Sequence, residues 1–185
     1  MTKPKTKLTI GRMSRIAVMA ALLCVASPWS IPVGPIPISL ATLVVYLTGI
    51  VLGWLDGTIA VAVYLLIGAI GVPVFANFTG GMGILLGSTG GYIVGFILTA
   101  LVMWGFERFG RGNLPMQIVG MLLGLVACYA LGTVWFMVVY GKANGAISVM
   151  TALGWCVFPF IIPDLVKVAV ACAISPVLRK AIQSR

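Results

Sequence analysis

Apolar stretches of about 17 to 25 residues follow one another along this chain, separated only by short Gly-, Pro- or charge-bearing breaks, and that is the length needed to cross a ~30 Å hydrocarbon layer. With 185 residues that are 61% hydrophobic and 8% charged, and a mean hydropathy of +1.17, the chain carries more apolar surface than one soluble core of this size can hide. Lipid is therefore its solvent. The segments are apolar on every face, whereas an outer-membrane barrel needs strands that alternate apolar and polar residues. The expected fold is all-α, an integral membrane bundle of six transmembrane helices, with residues 1–185 forming a single membrane-embedded domain.

Twelve basic against 3 acidic residues leave a net charge of +9. The basic residues stand almost entirely at segment ends, which points to membrane orientation and away from nucleic acid. Cys24, Cys128, Cys156 and Cys172 lie singly inside apolar stretches, and the chain has no histidine. They read as small core residues, with no metal site and no cofactor implied. Lys3, Lys5, Lys7, Arg12 and Arg15 precede the apolar run from Ile16 to Ala26 much as in a secretory signal. Further spans follow directly, so an uncleaved first helix is expected.

That first helix is placed at Gly11 to Ser27 and stops at "PWSIPVGPIPIS", where four prolines remove backbone donors and predict a structured loop. The second covers Ser39 to Trp54, and the turn "GWLDG" leads to a third at Thr58 to Ile70. The glycine-rich stretch "GVPVFANFTGGMGILLGSTGGY" is too irregular for a lipid-facing span, and the fourth helix follows at Tyr92 to Phe106. The fifth fills Met116 to Tyr140; the last apolar run breaks at Pro159 and Pro163 into a short outer piece and a main helix at Ile162 to Leu178, with Pro163 in its first turn. Lys and Arg accumulate on the cytoplasmic side of membrane proteins. One side of this bundle collects the five N-terminal basic residues with Arg108, Arg111, Arg179, Lys180 and Arg185, against Lys142 on the other. Both termini are expected in the cytoplasm of a multi-pass cell-membrane protein.

An ionisable residue inside a span costs about 2.5 to 3.5 kcal/mol on insertion scales. Here Asp164 and Lys167 stand three residues apart in "FPFIIPDLVK", on one helix face and within mutual reach. One reading is a self-neutralised pair that fixes helix packing. The other is a polar pocket in which Lys167 meets an anionic group and Asp164 accepts ligand N–H groups. Lys167 would lie about 18 Å from the cytoplasmic basic ring at the helical rise per residue, in the outer half of the bilayer. Asn77 in "PVFANFTGG" is either a turn residue or an amide that donates and accepts toward a ligand. Gly80, Gly81, Gly83, Gly90 and Gly91 allow turns, close contacts or backbone approach to a ligand. Tyr92, Phe75, Phe78 and Trp29 are candidate apolar walls or interfacial anchors. Small-residue pairs (Ala17 and Ala21, Gly49 and Gly53, Gly91 and Gly95, Gly120 and Gly124) permit close helix approach, and the Ala17, Ala20, Ala21 surface is a candidate docking face. No GxxxxGK[ST] phosphate loop is present, so any ATPase is another chain.

At "GVPVFANFTGG", "GSTGGYIVGF" and "FPFIIPDLVK" the chain resembles the BioY family, the biotin-binding S components of energy-coupling factor (ECF) transporters, over nearly its whole length. The resemblance implies an S-component-like six-helix fold, capture of biotin from outside, and a complex with a transmembrane coupling protein and two ATPase subunits. Carried onto this sequence, the substrate-binding residues would be Asn77, Asp164 and Lys167, with Gly81 and Tyr92 nearby, and the Ala17 to Ala21 face would contact the coupling protein. Such a protein is a ligand-binding transport subunit and not an enzyme; a membrane hydrolase would need a nucleophile and base that the chain does not offer. The alternatives are an S component for another small vitamin, or a self-sufficient proton-coupled carrier, for which no clear inverted repeat is visible.

Overall fold

The computed structural model describes residues 9–110 and 113–183. Lys3, Lys5, Lys7, Arg111 and Arg185, which carry part of the orientation argument, lie outside the described residues. Helix α1 runs Ile10–Ala26 and buries Ile16, Met19, Ala20 and Leu23, while Ala17 and Ala21 face outward.

The proline-rich segment is a β-hairpin, β1 (Ser30–Val33) and β2 (Ile36–Ser39), where the sequence suggested only a structured loop in an otherwise all-α chain. Gly34, at φ 71°, occupies the positive-φ position of its two-residue turn, as such turns demand. The register pairs Val33 with Ile36, Pro32 with Pro37 and Ile31 with Ile38. The pair that closes a two-residue hairpin turn is hydrogen-bonded and the next is not. The two prolines therefore oppose each other where no N–H is required, and the ladder survives them.

Helix α2 (Ala41–Leu52) runs back through the bundle, and α3 (Trp54–Ala69) follows after Gly53 alone, at φ 68°. The connection is tighter than the expected GWLDG turn. Asp56 falls inside the first turn of α3, where the helix dipole favours a carboxylate, and accepts hydrogen bonds of 2.8 and 2.9 Å from Arg12 of α1. After the glycine-rich loop, which holds a 3₁₀ turn (Ala76–Phe78) and the short α4 (Met82–Leu86), come α5 (Gly90–Gly110) and α6 (Leu114–Asn144). These two pack along the glycines that the small-residue pattern picked out. Gly91 meets Trp135, Gly95 meets Cys128, Gly120 meets Phe106 and Met103, and Gly124 meets Thr99, with Gly132 against the Tyr92 ring. Thr99 adds a hydrogen bond across the interface, donating to the Gly124 carbonyl at 3.0 Å. Lipid gives apolar helices no reason to associate, so close backbone approach and bonds of this kind supply the attraction.

The last run divides into α7 (Val149–Cys156) and α8 (Phe158–Gln183). The break lies at Val157 (φ −125°, ψ −56°), earlier than the expected one at Pro159 and Pro163. Pro159 occupies the first turn of α8, where no N–H is needed. Pro163 lies inside the helix and removes the N–H that would reach the Pro159 carbonyl. Leu114–Asn144 and Phe158–Leu178 are each long and apolar enough to cross a membrane alone, and Ala41–Leu52, Leu55–Ala69 and Gly90–Phe106 are shorter apolar helices. With α1 they form the expected six-helix membrane bundle. Its antiparallel succession gathers the hairpin, the glycine-rich loop and α7 at one end.

Packing at the α5–α6 interface predicts a contrast between two glycines. A Cβ on Gly124 would lie 2.9 Å from Thr99 Cγ2 and 3.1 Å from its carbonyl oxygen, whereas one on Gly105 would meet nothing within 4 Å. Gly124→Val is expected to destabilise by about 1 to 3 kcal/mol through overpacking, and Gly105→Ala to stabilise by roughly 0.5 to 1 kcal/mol. Thermal unfolding of the detergent-solubilised variants checks both signs.

Candidate substrate-binding site

At the gathered end, the hairpin closes over two cavities that share the wall residues Ile36, Pro37, Ser39, Tyr92 and Phe96. The larger, about 230 Å³, reaches toward Asn77, Thr79 and Thr89 and is floored by Tyr64, Phe75 and Ile93. The smaller, about 50 Å³, lies deeper among Thr42, Cys128, Tyr129, Asp164 and Lys167. The two cavities adjoin along that shared wall and differ in chemistry. Among the described wall residues, Lys167 is the one cation.

At the deep end Asp164 and Lys167 are 4% and 8% exposed and joined at 2.7 Å between Nζ and Oδ1. Their i, i+3 spacing on α8 brings the groups together without help from another helix. Other helices then complete the network. Tyr129 of α6 donates to Asp164 Oδ2 at 2.6 Å. Thr42 of α2 donates to Oδ1 at 3.3 Å and accepts from Lys167 Nζ at the same distance. Below them Tyr46, one turn along α2 from Thr42, is fully buried, and its hydroxyl is the buried side-chain polar atom without a hydrogen-bond partner among the described residues. A buried pair is tolerable only when its remaining lone pairs and protons are satisfied, and Thr42 and Tyr129 do this for the carboxylate.

The outer end is shaped by backbone. Asn77 and Phe78 both hold left-handed φ values, 57° and 56°; asparagine accepts this conformation readily and phenylalanine does not. Ser30 of the hairpin stabilises it by donating to Asn77 Oδ1 at 2.8 Å while accepting from the Asn77 N–H at 2.9 Å. Trp29 and Phe78 add an edge contact with centroids 5.8 Å apart. The hairpin and the glycine-rich loop are thus clasped through Asn77, whose Oδ1 and N–H serve the clasp.

Of the residues singled out from sequence, Asn77 and Tyr92 line the larger cavity, and Tyr92, Asp164 and Lys167 the smaller. The Tyr92 hydroxyl is held by Thr133 at 2.9 Å, which presents the ring to the cavity. Gly81 does not line either part; at φ 96° it turns the chain into α4 and donates to the Gly68 carbonyl at 2.7 Å. Phe75 is a wall residue, while Phe78 and Trp29 stay exposed at the end of the bundle.

A model of the BioY family matches residues 1–184. The chain belongs to the BioY family. It is 40% identical to the biotin transporter BioY of Thermotoga maritima over 169 residues, covering 91% of this chain and 96% of that one. It is 37% identical to the probable biotin transporter BioY of Pyrococcus horikoshii over 163 residues, 88% and 93% of the two chains. The fold is similar to a crystal structure of the S-component for biotin from an ECF-type ABC transporter, with a TM-score of 0.82, 26% identity, and coverage of 97% and 95%.

For this BioY-family chain, Thr42 and Tyr129 are the two partners of the Asp164 carboxylate, beyond Lys167, that the sequence does not mark. A threonine and a tyrosine inside apolar spans carry no mark of their own. Their position on the side of α2 and α6 facing Asp164 is visible only once the helices are packed.

Proposed function

We propose that this chain is the biotin-capturing S component of an ECF-type importer. The observation that carries the reading is the pair of adjoining cavities under the hairpin, one lined by a single cation, Lys167, and the other by the Asn77 amide. Biotin has matching ends: a carboxylate on an aliphatic chain, and a cyclic urea. Lys167 uses Thr42 and Asp164 as acceptors, and an ammonium has three donors, so one remains for a carboxylate. Asn77 spends its oxygen on Ser30 and keeps its Nδ2 donors for the urea carbonyl. Ile36, Pro37, Tyr92 and Phe96 pack the thioether ring and chain between them. The names of the biotin transporters in two other organisms and of the solved S-component support the same ligand.

The outward Ala17 and Ala21 surface of α1 is the docking face for a transmembrane coupling protein, which works with two ATPase subunits. Both termini lie in the cytoplasm, so the hairpin end opens to the exterior. Arg12 bonded to Asp56 ties the cytoplasmic ends of α1 and α3 together.

Titration calorimetry of the solubilised chain with biotin tests the ligand. Lys167→Ala loses a hydrogen bond to a charged group, worth about 1.5 to 3 kcal/mol, and is expected to bind biotin roughly tenfold to hundredfold more weakly. Unchanged affinity would move the carboxylate away from Lys167, and no binding to the parent chain would refute the assignment. For the partner face, Ala17→Trp with Ala21→Trp is expected to abolish assembly with the coupling protein and leave biotin affinity of the isolated chain intact. Normal co-purification of the partner with that double variant would place the docking face elsewhere.

A further inference from the structure

The charge count at the deep end has a consequence for binding. Asp164 and Lys167 already neutralise each other at 2.7 Å, and the wall residues provide no second cation. A carboxylate seated on Lys167 would leave this enclosed space with one uncompensated negative charge, which a low-dielectric site tolerates poorly. The groups facing Asp164 offer no relief. On its own helix there is Lys167; α2 presents Thr42 and Tyr46; α6 presents Cys128 and Tyr129; and Cys156 of α7 and Tyr92 of α5 stand in the same wall. All but Lys167 are neutral hydroxyls, thiols or phenols.

Resting on the biotin reading above, we infer that this site binds the carboxylate ligand together with one proton, taken from outside and held by Asp164. Three charged groups then become one cation, one anion and one carboxylic acid, and the site is neutral before and after. The proton has a defined place. Tyr129 continues to donate to Oδ2, and Oδ1, the oxygen on the Lys167 side where the ligand carboxylate arrives, takes the proton and donates it to that carboxylate. The bond formed is O–H on Asp164, and no electron pair leaves the site.

Proton uptake makes binding tighten as pH falls. While uptake is complete, affinity weakens about tenfold per pH unit of increase, by linkage. Calorimetry of the full chain with biotin, at one pH in buffers of different ionisation enthalpy, reads the proton number directly. The expected result is about one proton taken up per biotin, and none for the uncharged alcohol analogue of biotin. Asp164→Asn is expected to remove the uptake and flatten the pH dependence of biotin binding. A heat that does not vary with buffer while biotin still binds would overturn the inference, as would equal uptake with biotin and its alcohol. Failure of biotin to bind at all is a separate outcome and refutes the proposed function itself. The wild-type measurement decides even where Asp164→Asn does not fold.

Discussion

Lipid offers no hydrogen bonds, and that constraint organises every element of this chain. Each backbone group at membrane depth has to be satisfied by the protein, so six helices span and the irregular segments collect at one end of the bundle. With no hydrophobic drive for helices to associate in lipid, attraction has to come from contact. The α5–α6 interface shows how: five glycines let the helices approach, and Thr99 bonds to the Gly124 carbonyl. That tight pair holds Tyr92 and Tyr129 at the cavity, and the cavity exists because the hairpin closes over the opposite side.

The same constraint explains how two ionised groups persist in the interior. Asp164 and Lys167 are supported by Thr42 from one side and Tyr129 from the other, so α2 and α6 each contribute one hydroxyl. A purely structural pair has no use for a cavity at its side. Here the pair forms a wall of one, and a second cavity lined by Asn77 adjoins it under the hairpin. The polar groups of the pair face inward, and the outer surface of the bundle is apolar.

Much of this was legible in the residues themselves. Apolar lengths marked the spans, and Asp164 and Lys167 stood out because a charge inside a span is costly. The glycine spacing anticipated the α5–α6 contact. Other features depended on pairing that no single segment reveals. Prolines argue against a strand, and the hairpin forms only because Pro32 and Pro37 oppose each other at a pair that needs no N–H. Asp56 read as a turn residue and Arg12 as a membrane flank, yet they are partners across 44 positions. Thr42 and Tyr129 acquire meaning only from facing Asp164.

The central claim is that the buried pair serves a ligand and not only helix packing. Removing both charges, as Asp164→Asn with Lys167→Met, relieves the cost of an unpaired buried charge that either single change would leave. Biotin titration and thermal unfolding of this double variant, set beside the parent, separate the two roles. The account predicts near-parental thermal stability with biotin affinity still lost. Parental affinity in the double variant would contradict it and reduce the pair to a packing device.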